Sequence, residues 1–337
     1  MASRASRKTI QSNLITRLLG GWQPAQVLMA ANHLDFFNAI DEGALSAEEV
    51  ATHCKCHHRP TERLLNACAA LGILEKEGPL YRNSPEALES LVRGKPTYMG
   101  DMIAHLADLW EPWGKLHEAV RNNRPVIITH DASRGPDVHR NFILAMHNGA
   151  MPDAPLLAEA LDLSGRHQLF DVGGGPGTYS IFLVKRYPGL RAIVFDIPQT
   201  IPIAKEIIAQ SGVVDRVTTR SGDYLKDDFG QGNDVVLLSG ILHSEGPECN
   251  RSIFAKAYAS LIPGGIVVVR ENLINEEGTS PIRAVLFSLN MVVNTYEGKS
   301  YSASEVMNLM ESVGFVESAV VPFPQPKETS LIISKKP

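Results

Sequence analysis

Residues 169–177 read Leu-Phe-Asp-Val-Gly-Gly-Gly-Pro-Gly, and a helical stretch, residues 178–186, follows directly. The residues before the glycines are apolar apart from Asp171, as is typical of a short buried strand. Glycine lets the backbone approach a ligand closely, and the free N–H groups at the start of the next helix face that ligand. A strand, a glycine turn and a helix in this order predict a nucleotide-binding loop in a parallel α/β sheet.

The position of the acid indicates which nucleotide is bound. Asp171 begins an Asp-x-Gly-x-Gly-x-Gly pattern, whereas dinucleotide dehydrogenases use Gly-x-Gly-x-x-Gly with a helix N-terminus aimed at a pyrophosphate. S-adenosylmethionine (SAM) has no phosphate, so a carboxylate near its cationic amino-acid end is tolerated. Asp196 closes the next apolar run, residues 192–195, where an acid is placed to accept both ribose hydroxyls. The pattern favours SAM over NAD as the cofactor.

Two further turns occur at the expected intervals. Gly222-Asp223-Tyr224 follows the strand-like residues 217–219, so that Asp223 is placed to accept from the adenine amino group and Tyr224 to stack on the ring. Residues 261–265, Leu-Ile-Pro-Gly-Gly, predict a turn into a buried strand, residues 266–269. We therefore expect residues 161–337 to form a Rossmann-like domain with a seven-stranded, mostly parallel sheet and helices on both faces. A final antiparallel hairpin is expected from residues 318–323 and 329–334.

The first part of the chain has a helical pattern. Residues 27–39 predict one helix, Ser46 with Glu49 predicts a capped start of another, and Pro60 opens a third that runs to about Leu71. Two short strands follow, at residues 72–75 and 80–82. Three helices and a wing predict a winged-helix domain over residues 1–100, and a helical linker over residues 101–160.

Two apolar stripes in the linker predict helix faces that pack in the core, with a minority of residues lining a pocket. They are Trp110, Trp113, Leu116 and Val120 on one face, and Phe142, Ala145, Met146 and Gly149 on the other.

Charge and composition exclude several classes of function. The net charge is -5, and residues 1–100 hold eleven Lys/Arg against ten Asp/Glu, so a nucleic-acid partner is not expected. No apolar run reaches the ~20 residues of a membrane span. Residues 1–8 are basic without an apolar secretory core behind them, which predicts a frayed, uncleaved N-terminus. The 4 cysteines are too few for a disulfide scaffold and predict a reducing, cytoplasmic location.

Residues 53–58, His-Cys-Lys-Cys-His-His, invite interpretation as a zinc site. Zinc ligands normally come from two separated clusters, and adjacent residues close a tetrahedron poorly. We predict a solvated loop here and no metal in the protein.

Taken together, these motifs resemble the winged-helix SAM-dependent O-methyltransferases, which include caffeic acid, hydroxyindole and bacterial polyketide O-methyltransferases. The resemblance covers nearly the whole chain. The motifs that carry it are Phe-Asp-Val-Gly-Gly-Gly-Pro-Gly (170–177), Phe-Asp-Ile-Pro (195–198), Gly-Asp-Tyr (222–224), Ile-Leu-His (241–243), Pro-Gly-Gly (263–265) and Arg-Glu-Asn (270–272).

The resemblance implies roles for individual residues. His243, which follows the apolar run 235–238, matches the general base, and Glu271 matches the acid that orients it. The cofactor set is Asp171, Gly173, Gly175, Asp196, Ile197, Gly222, Asp223, Tyr224 and Ser239. The substrate set is Trp113, Phe142, Met146, Met291, Asn294 and Thr295. A homodimer through the N-terminal domain is also implied.

The sequence departs from the family pattern at several positions. The histidine is followed by Ser244-Glu245 rather than Asp-Trp, Ser239 replaces a lysine of plant enzymes, and Ser300 follows Gly-Lys where plant enzymes carry a second glutamate.

The predicted function is methyl transfer from SAM to a hydroxyl of a small aromatic acceptor, phenolic or polyketide-like, with S-adenosylhomocysteine as the product. A C- or N-methyltransferase on the same fold is an alternative. A ligand-sensing winged-helix regulator is an alternative from another class, and the near-neutral N-terminal domain disfavours it. The identity of the acceptor is open at this stage.

Overall fold

The structure is a computed structural model that describes residues 14–128, 135–321, 323 and 329–337. The chain divides into two compact units, Met1–Ala104 and His105–Pro337. The frayed start predicted for residues 1–8 lies outside the described residues, as does Pro322 of the predicted final hairpin.

Unit 1 is mainly helical, with a small antiparallel sheet in the order β1-β3-β2. Its strands are β1 (Leu45–Ser46), β2 (Leu74–Glu77) and β3 (Leu80–Asn83). Its helices are α1 (Leu14–Gly20), α2 (Trp22–His33), α3 (Phe36–Ile40), α4 (Ala47–His53), α5 (His58–Ala70) and α6 (Pro85–Leu91). Helix α7 (Gly100–Asp108) contains the boundary between the units.

Local sequence explains much of unit 1. The Ser46 hydroxyl accepts from the backbone N–H of Glu49, whose side chain accepts from the backbone of Ser46, so the predicted capping box of α4 is present. Strands β2 and β3 form the predicted hairpin. The single helix predicted over residues 27–39 is wrong: α2 ends at His33 because Asp35 takes a left-handed conformation (φ 66°) before α3 begins.

Unit 2 is a three-layer α/β structure. Its strands are β4 (Gln168–Val172), β5 (Arg191–Asp196), β6 (Val217–Ser221), β7 (Asn233–Ser239), β8 (Leu261–Glu271), β9 (Val316–Val321) and β10 (Ser330–Lys335). Its helices are α8 (Trp110–Gly114), α9 (Leu116–Asn122), α10 (Pro136–Ala150), α11 (Ala154–Ala160), α12 (Thr178–Arg186), α13 (Ile201–Ala209), α14 (Pro247–Ser260), α15 (Ile282–Asn294) and α16 (Ala303–Ser312).

The seven strands form one sheet in the order β6-β5-β4-β7-β8-β10-β9. Strands β4 to β8 pair in parallel, whereas β10 pairs antiparallel with both β8 and β9. The predicted seven-stranded, mostly parallel sheet and its final hairpin are therefore confirmed. The order along the chain reverses between β4 and β7, and ligands of open α/β sheets bind at the carboxyl ends of strands beside such a reversal.

Burial on both faces explains the continuous apolar runs in the central strands. In β7, Val235 and Leu237 belong to the apolar core on one face, and Val236 and Leu238 to the core on the other. The turn predicted at residues 261–265 is instead an irregularity inside β8, where the register with β7 shifts.

The apolar stripe predicted from Trp110 to Val120 is wrong as a single helix face. Helix α8 ends at Gly114, which has low helix propensity, and α9 begins at Leu116. Trp110 is 41% exposed and Val120 is 64% exposed, so the two ends of the stripe do not pack in the core. The second stripe lies on one continuous helix, α10.

Within the described ranges, no helix is long and apolar enough to cross a membrane. Over the same residues, no group of three or more His, Cys, Asp and Glu side chains could hold a metal ion. The predicted loop at residues 53–58 joins the end of α4 to the start of α5.

Candidate active site

The predicted glycine loop connects β4 to α12 at the reversal of strand order. Gly173 has a φ of 59°, which strains a residue with a side chain, and a Cβ there would lie 2.3 Å from the Cδ1 atom of Ile241, so Ile241 would have to shift. Gly175 also has a positive φ, 53°, but a Cβ there would meet no atom within 4 Å. The loop thus packs tightly at Gly173 against the segment after β7 and faces open space at Gly175, which is where a ligand fits.

Asp171 lies beneath this loop and is 1% exposed. Its Oδ2 atom accepts a hydrogen bond from the Ser180 hydroxyl (2.7 Å), and its Oδ1 atom is buried with no partner among the described residues. The pKa of Asp171 is raised to about 7: burial is the largest cause, the hydrogen bond from Ser180 opposes it, and the charge of Asp196 adds to it. Asp171 therefore supports the loop from below.

Asp196 ends β5 and joins the two neighbouring loops. Its Oδ2 atom accepts from the backbone N–H of Gly175 (2.8 Å), and its Oδ1 atom accepts from the N–H of Ile197 (2.8 Å). Burial raises the pKa of Asp196, although the bonds from Gly175, Ile197 and Thr200 oppose the shift. These bonds fix the carboxylate at the carboxyl end of the sheet beside the open space at Gly175.

The segment Gly222-Asp223-Tyr224 follows β6 as predicted. A Cβ at Gly222 would lie 2.3 Å from the Phe195 ring, so glycine is required there. The Asp223 carboxylate accepts from the backbone of Leu225 (2.9 Å) and pairs with Lys226 (2.7 Å). Burial raises the pKa of Asp223, but the Lys226 and Leu225 contacts outweigh it and the pKa is lowered.

The Tyr224 hydroxyl donates to the Oε1 atom of Glu245 (2.8 Å), and burial raises the pKa of the phenol. The Tyr224 ring lies next to Gly173, since a Cβ on that glycine would be 3.7 Å from its Cδ1 atom. Ser239 is the last residue of β7, and its Oγ atom is buried without a partner in the described part of the chain. Buried polar groups normally form a hydrogen bond, so a hydroxyl without a protein partner beside the glycine loop fits a ligand contact.

His243 lies in a short 3-10 turn, Leu242–Ser244, just after β7. Its Nδ1 atom is 3.0 Å from the Oε2 atom and 3.2 Å from the Oε1 atom of Glu271, the last residue of β8. Its ring meets the edge of Phe287 at a centroid distance of 4.7 Å. Glu271 is buried, which raises the pKa of its carboxyl, but the charge of His243 and three hydrogen bonds outweigh burial, so the pKa is lowered.

Two side chains that the sequence analysis missed fix this turn. The amide of Asn250, on α14, donates to the backbone oxygens of Leu242 (2.9 Å) and Glu245 (3.2 Å). The hydroxyl of Tyr301 donates to the same Glu245 oxygen (2.6 Å). An asparagine on the apolar side of a helix, five residues after Glu245, was the only sequence signal for this support.

The predicted substrate residues form two groups. The indole N–H of Trp113 donates to the Oδ1 atom of Asn290 (2.8 Å), which also accepts from the Asn294 amide (2.8 Å). Met291 and Asn294 are buried on α15, and the Oδ1 atom of Asn294 has no partner among the described residues. Thr295 lies at the end of α15, where its hydroxyl donates to the Met291 oxygen and accepts from the Gly298 N–H.

Phe142 and Met146 lie half-buried on α10, where the Phe142 ring packs edge-on against His105 (5.2 Å). The sequence analysis also missed Phe287 and Asn290. The spacing of Phe287, Asn290 and Asn294, three and four residues apart, could have shown that they share one helix face.

The residues fit a nucleoside cofactor. The glycine loop leaves open space at Gly175, the Asp196 carboxylate is fixed beside that space, and the Ser239 hydroxyl has no protein partner. The strand order and the glycine loop define a nucleotide-binding α/β protein.

Comparisons with known proteins identify the family. Residues 113–316 match the O-methyltransferase domain, and residues 16–91 match the O-methyltransferase dimerisation domain. The chain therefore belongs to the family of SAM-dependent O-methyltransferases and is an enzyme of that family.

Individual relatives match along almost their whole length. The 3-hydroxy-5-methyl-1-naphthoate 3-O-methyltransferase of Streptomyces sahachiroi is 34% identical over 96% of this chain and 95% of that protein. The tetracenomycin polyketide synthesis 8-O-methyl transferase TcmO of Streptomyces glaucescens is 32% identical over 96% of both chains. The crystal structure of human N-acetylserotonin methyltransferase in complex with SAM has a TM-score of 0.88 and 26% identity, covering 98% of this chain and 99% of that one.

Proposed function

We propose that the enzyme transfers a methyl group from SAM to a hydroxyl of a small aromatic acceptor, with His243 as the general base. The observation that carries this proposal is the His243–Glu271 pair. Both carboxylate oxygens of Glu271 lie within 3.2 Å of Nδ1 of the imidazole, while Nε2 has no hydrogen-bond partner among the described residues. A nitrogen free to take a proton is what the removal of a phenolic proton requires.

The Glu271 carboxylate determines which tautomer the histidine adopts. Because the pKa of Glu271 is lowered, this carboxyl is ionised at neutral pH and accepts a proton-bearing Nδ1. The lone pair of the neutral imidazole then lies on Nε2. When Nε2 takes the proton of the acceptor hydroxyl, the nearby negative charge of Glu271 stabilises the resulting imidazolium.

The cofactor would be held by the carboxyl ends of four strands. Backbone groups of Gly173 and Gly175 line the loop, and Tyr224 and Ser239 lie along the same edge. The Asp196 carboxylate, fixed by the N–H of Gly175, would accept from the ribose hydroxyls. Gly222, Asp223 and Ile197 shape the loops around them. When bound, SAM supplies a methyl group on a positively charged sulfur and leaves as S-adenosylhomocysteine. A sulfonium methyl group is already activated, so the proposal includes no metal.

The acceptor would lie between the His243 turn and α15. Phe287 packs edge-on against the His243 ring, and Asn290, one turn further along the helix, holds the Trp113 indole. Flat apolar walls with a few polar groups suit an aromatic acceptor. The naphthoate methyltransferase and TcmO, named for a naphthoate and a polyketide, indicate a fused-ring hydroxyl compound as the first class to test.

Substitution of His243 tests the proposed base. We expect His243→Ala to lower kcat by about 10²- to 10⁴-fold, the range that a general base supplies. Glu271→Gln should lower kcat as well, because a neutral amide no longer stabilises the imidazolium. Binding of S-adenosylhomocysteine, measured by calorimetry, should change by less than about threefold in either variant, and the exposed Glu311→Gln should leave both quantities unaltered.

If His243→Ala retained the wild-type kcat, His243 would not be the general base. NMR of the product of a hydroxynaphthoate would show whether the new methyl group is on oxygen or on carbon, and a methyl on carbon would replace the O-methyl proposal with the C-methyl alternative.

The oligomer and the cellular location also belong to the proposal. The dimerisation domain match supports a homodimer, and an apolar side of α1 with the adjacent Trp22 supplies a surface for a second copy. The four cysteines, Cys54, Cys56, Cys68 and Cys249, are all free thiols, which supports the cytoplasm. The near-neutral charge of residues 1–100 supports a protein that does not bind nucleic acid.

A further inference from the structure

Helix α10 carries two histidines that the proposed reaction does not use. The Nε2 atom of His139 lies 3.0 Å from the hydroxyl of Thr200, and the Nδ1 atom of His147 lies 2.7 Å from the hydroxyl of Thr178. The two histidines are eight residues apart, which places them about 12 Å from each other along the helix.

Both threonines occupy corresponding places in the cofactor loops. Thr178 is the first residue of α12, directly after the glycine loop, and Thr200 caps α13, four residues after Asp196. Both are buried. Helix α10 is therefore hydrogen-bonded to the end of each of the two loops in which we place the cofactor.

The two contacts favour neutral histidines. Burial lowers the pKa of His147, and burial also lowers the pKa of His139 although the charge of Asp196 opposes that shift. A neutral imidazole offers one donor and one acceptor, so each ring can pair with a threonine hydroxyl without a buried charge.

Helix α10 also forms an ion pair with α13. Arg140 pairs with Glu206 of α13 at 2.7 Å, but both side chains are about half exposed, and exposed ion pairs contribute little. Phe142 and Met146, which the sequence predicts in the substrate pocket, lie on the helix between the two histidines.

We propose that His139 and His147 are positioning residues that hold α10 on the two cofactor loops and thereby strengthen SAM binding. The inference rests on the proposed cofactor site. Loss of a bond would free the loop end and α10 to move apart, so the cost would appear in the affinity for the cofactor and not in the chemical step.

The rings use different nitrogens, and this difference gives a specific test. The amide of asparagine reaches the position of Nδ1, and that of glutamine reaches the position of Nε2. We expect His147→Leu to weaken S-adenosylhomocysteine binding by about 3- to 10-fold, with kcat at saturating SAM within about twofold. His147→Asn should restore binding and His147→Gln should not, whereas His139 should show the reverse order.

A double-mutant cycle isolates the bond itself. Thr178→Val and His147→Leu should each lower the affinity for S-adenosylhomocysteine. Because each change removes the same contact, the affinity of the double variant should equal that of the single variant with the larger loss. The matched control is His117→Leu, which alters an exposed histidine of α9 and should leave both the KM for SAM and kcat unaltered.

The outcomes separate the two proposals. If the cofactor site is correct, the wild type must bind S-adenosylhomocysteine in calorimetry. If the wild type does not bind it, both the cofactor site and this inference are overturned. Normal binding by the wild type with unchanged binding by the leucine variants would overturn the inference alone. It is equally overturned if asparagine and glutamine rescue without regard to position, or if kcat falls while the KM for SAM stays constant.

Discussion

At the scale of single residues, the site depends on how buried carboxylates are compensated. Glu271 and Asp171 are both almost fully buried at the carboxyl edge of the sheet. Glu271 faces an imidazole and two backbone N–H groups, and its pKa is lowered, whereas Asp171 has one hydroxyl partner and its pKa is raised to about 7. Burial alone therefore does not determine the charge of an acid, and the number of donors around it does.

This difference predicts a pH-dependent stability change at Asp171. The unfolded chain has a pKa near 3.8 at this position and the folded chain about 7, so the folded state binds more protons between these values. Stability from this group is full at low pH and is lost as the pH rises toward 7. Asp171→Asn removes that loss, and the Ser180 hydroxyl can still donate to its amide oxygen.

We expect the free energy of unfolding of Asp171→Asn, relative to the wild type without cofactor, to rise between pH 4 and 7 by on the order of 3 kcal/mol and then to level off. Urea unfolding across this range measures it. Asp162→Asn is a control of opposite sign, because the Ser164 contacts lower the pKa of Asp162 and its contribution is lost as the pH falls. A flat difference for Asp171→Asn would mean that the acid is ionised in the folded state.

Residue identities were predictable where the motif and the strand ends coincide. Asp196 and His243 stand at the ends predicted for them. The Asp223 carboxylate, expected to accept from adenine, also accepts from the backbone of Leu225 and pairs with Lys226. These two contacts were not predicted, because sequence spacing does not record which way a side chain points.

At the scale of elements, local sequence predicts where a helix begins better than it predicts whether the helix is continuous. The box of Ser46 and Glu49 starts α4 as predicted, because the bonds lie within four residues and need no other part of the chain. The stripe from Trp110 to Val120 misled for the opposite reason, since a periodic pattern does not show that the helix between its members is continuous.

The capping box predicts a local stability change in unit 1. Ser46→Ala leaves the N–H of Glu49 without its acceptor, and we expect the free energy of unfolding to fall by about 0.5–2 kcal/mol. Ser46→Thr keeps a hydroxyl in the same place and should lose much less. Chemical denaturation with a signal from unit 1 measures both. Equal losses for alanine and threonine would show that packing, and not the cap, starts this helix.

At the scale of the whole molecule, the outer side of α1 is the feature that a single chain leaves unexplained. Leu14, Ile15, Leu18, Leu19 and Trp22 fall on one side of the helical path and are between 55% and 71% exposed. An apolar patch of this kind marks an interaction surface. The match of residues 16–91 to the dimerisation domain supports a second copy of the chain as the partner.

We expect light scattering to give the wild type twice the chain mass of 36.8 kDa. The double substitution Leu18→Glu with Leu19→Glu places charges in the buried surface and should weaken dimerisation at least about tenfold, because unpaired charges are costly to bury. Arg17→Glu changes the charge of the same helix off the apolar side and should stay dimeric. A double variant that remains dimeric would place the interface elsewhere.

The sequence by itself determined the mostly parallel sheet, the glycine loop, the capping box of α4 and the strand ends that carry Asp196 and His243. These follow from periodicity and from contacts within a few residues, which are properties of a continuous chain. Only the tertiary structure decided contacts that no motif implied, such as Trp113 with Asn290, 177 residues away. It also gave the geometry of the His243–Glu271 pair, 28 residues apart, which the family resemblance implied. Such pairs depend on how whole elements pack and on the rotamers that the packing allows, and a local pattern contains neither.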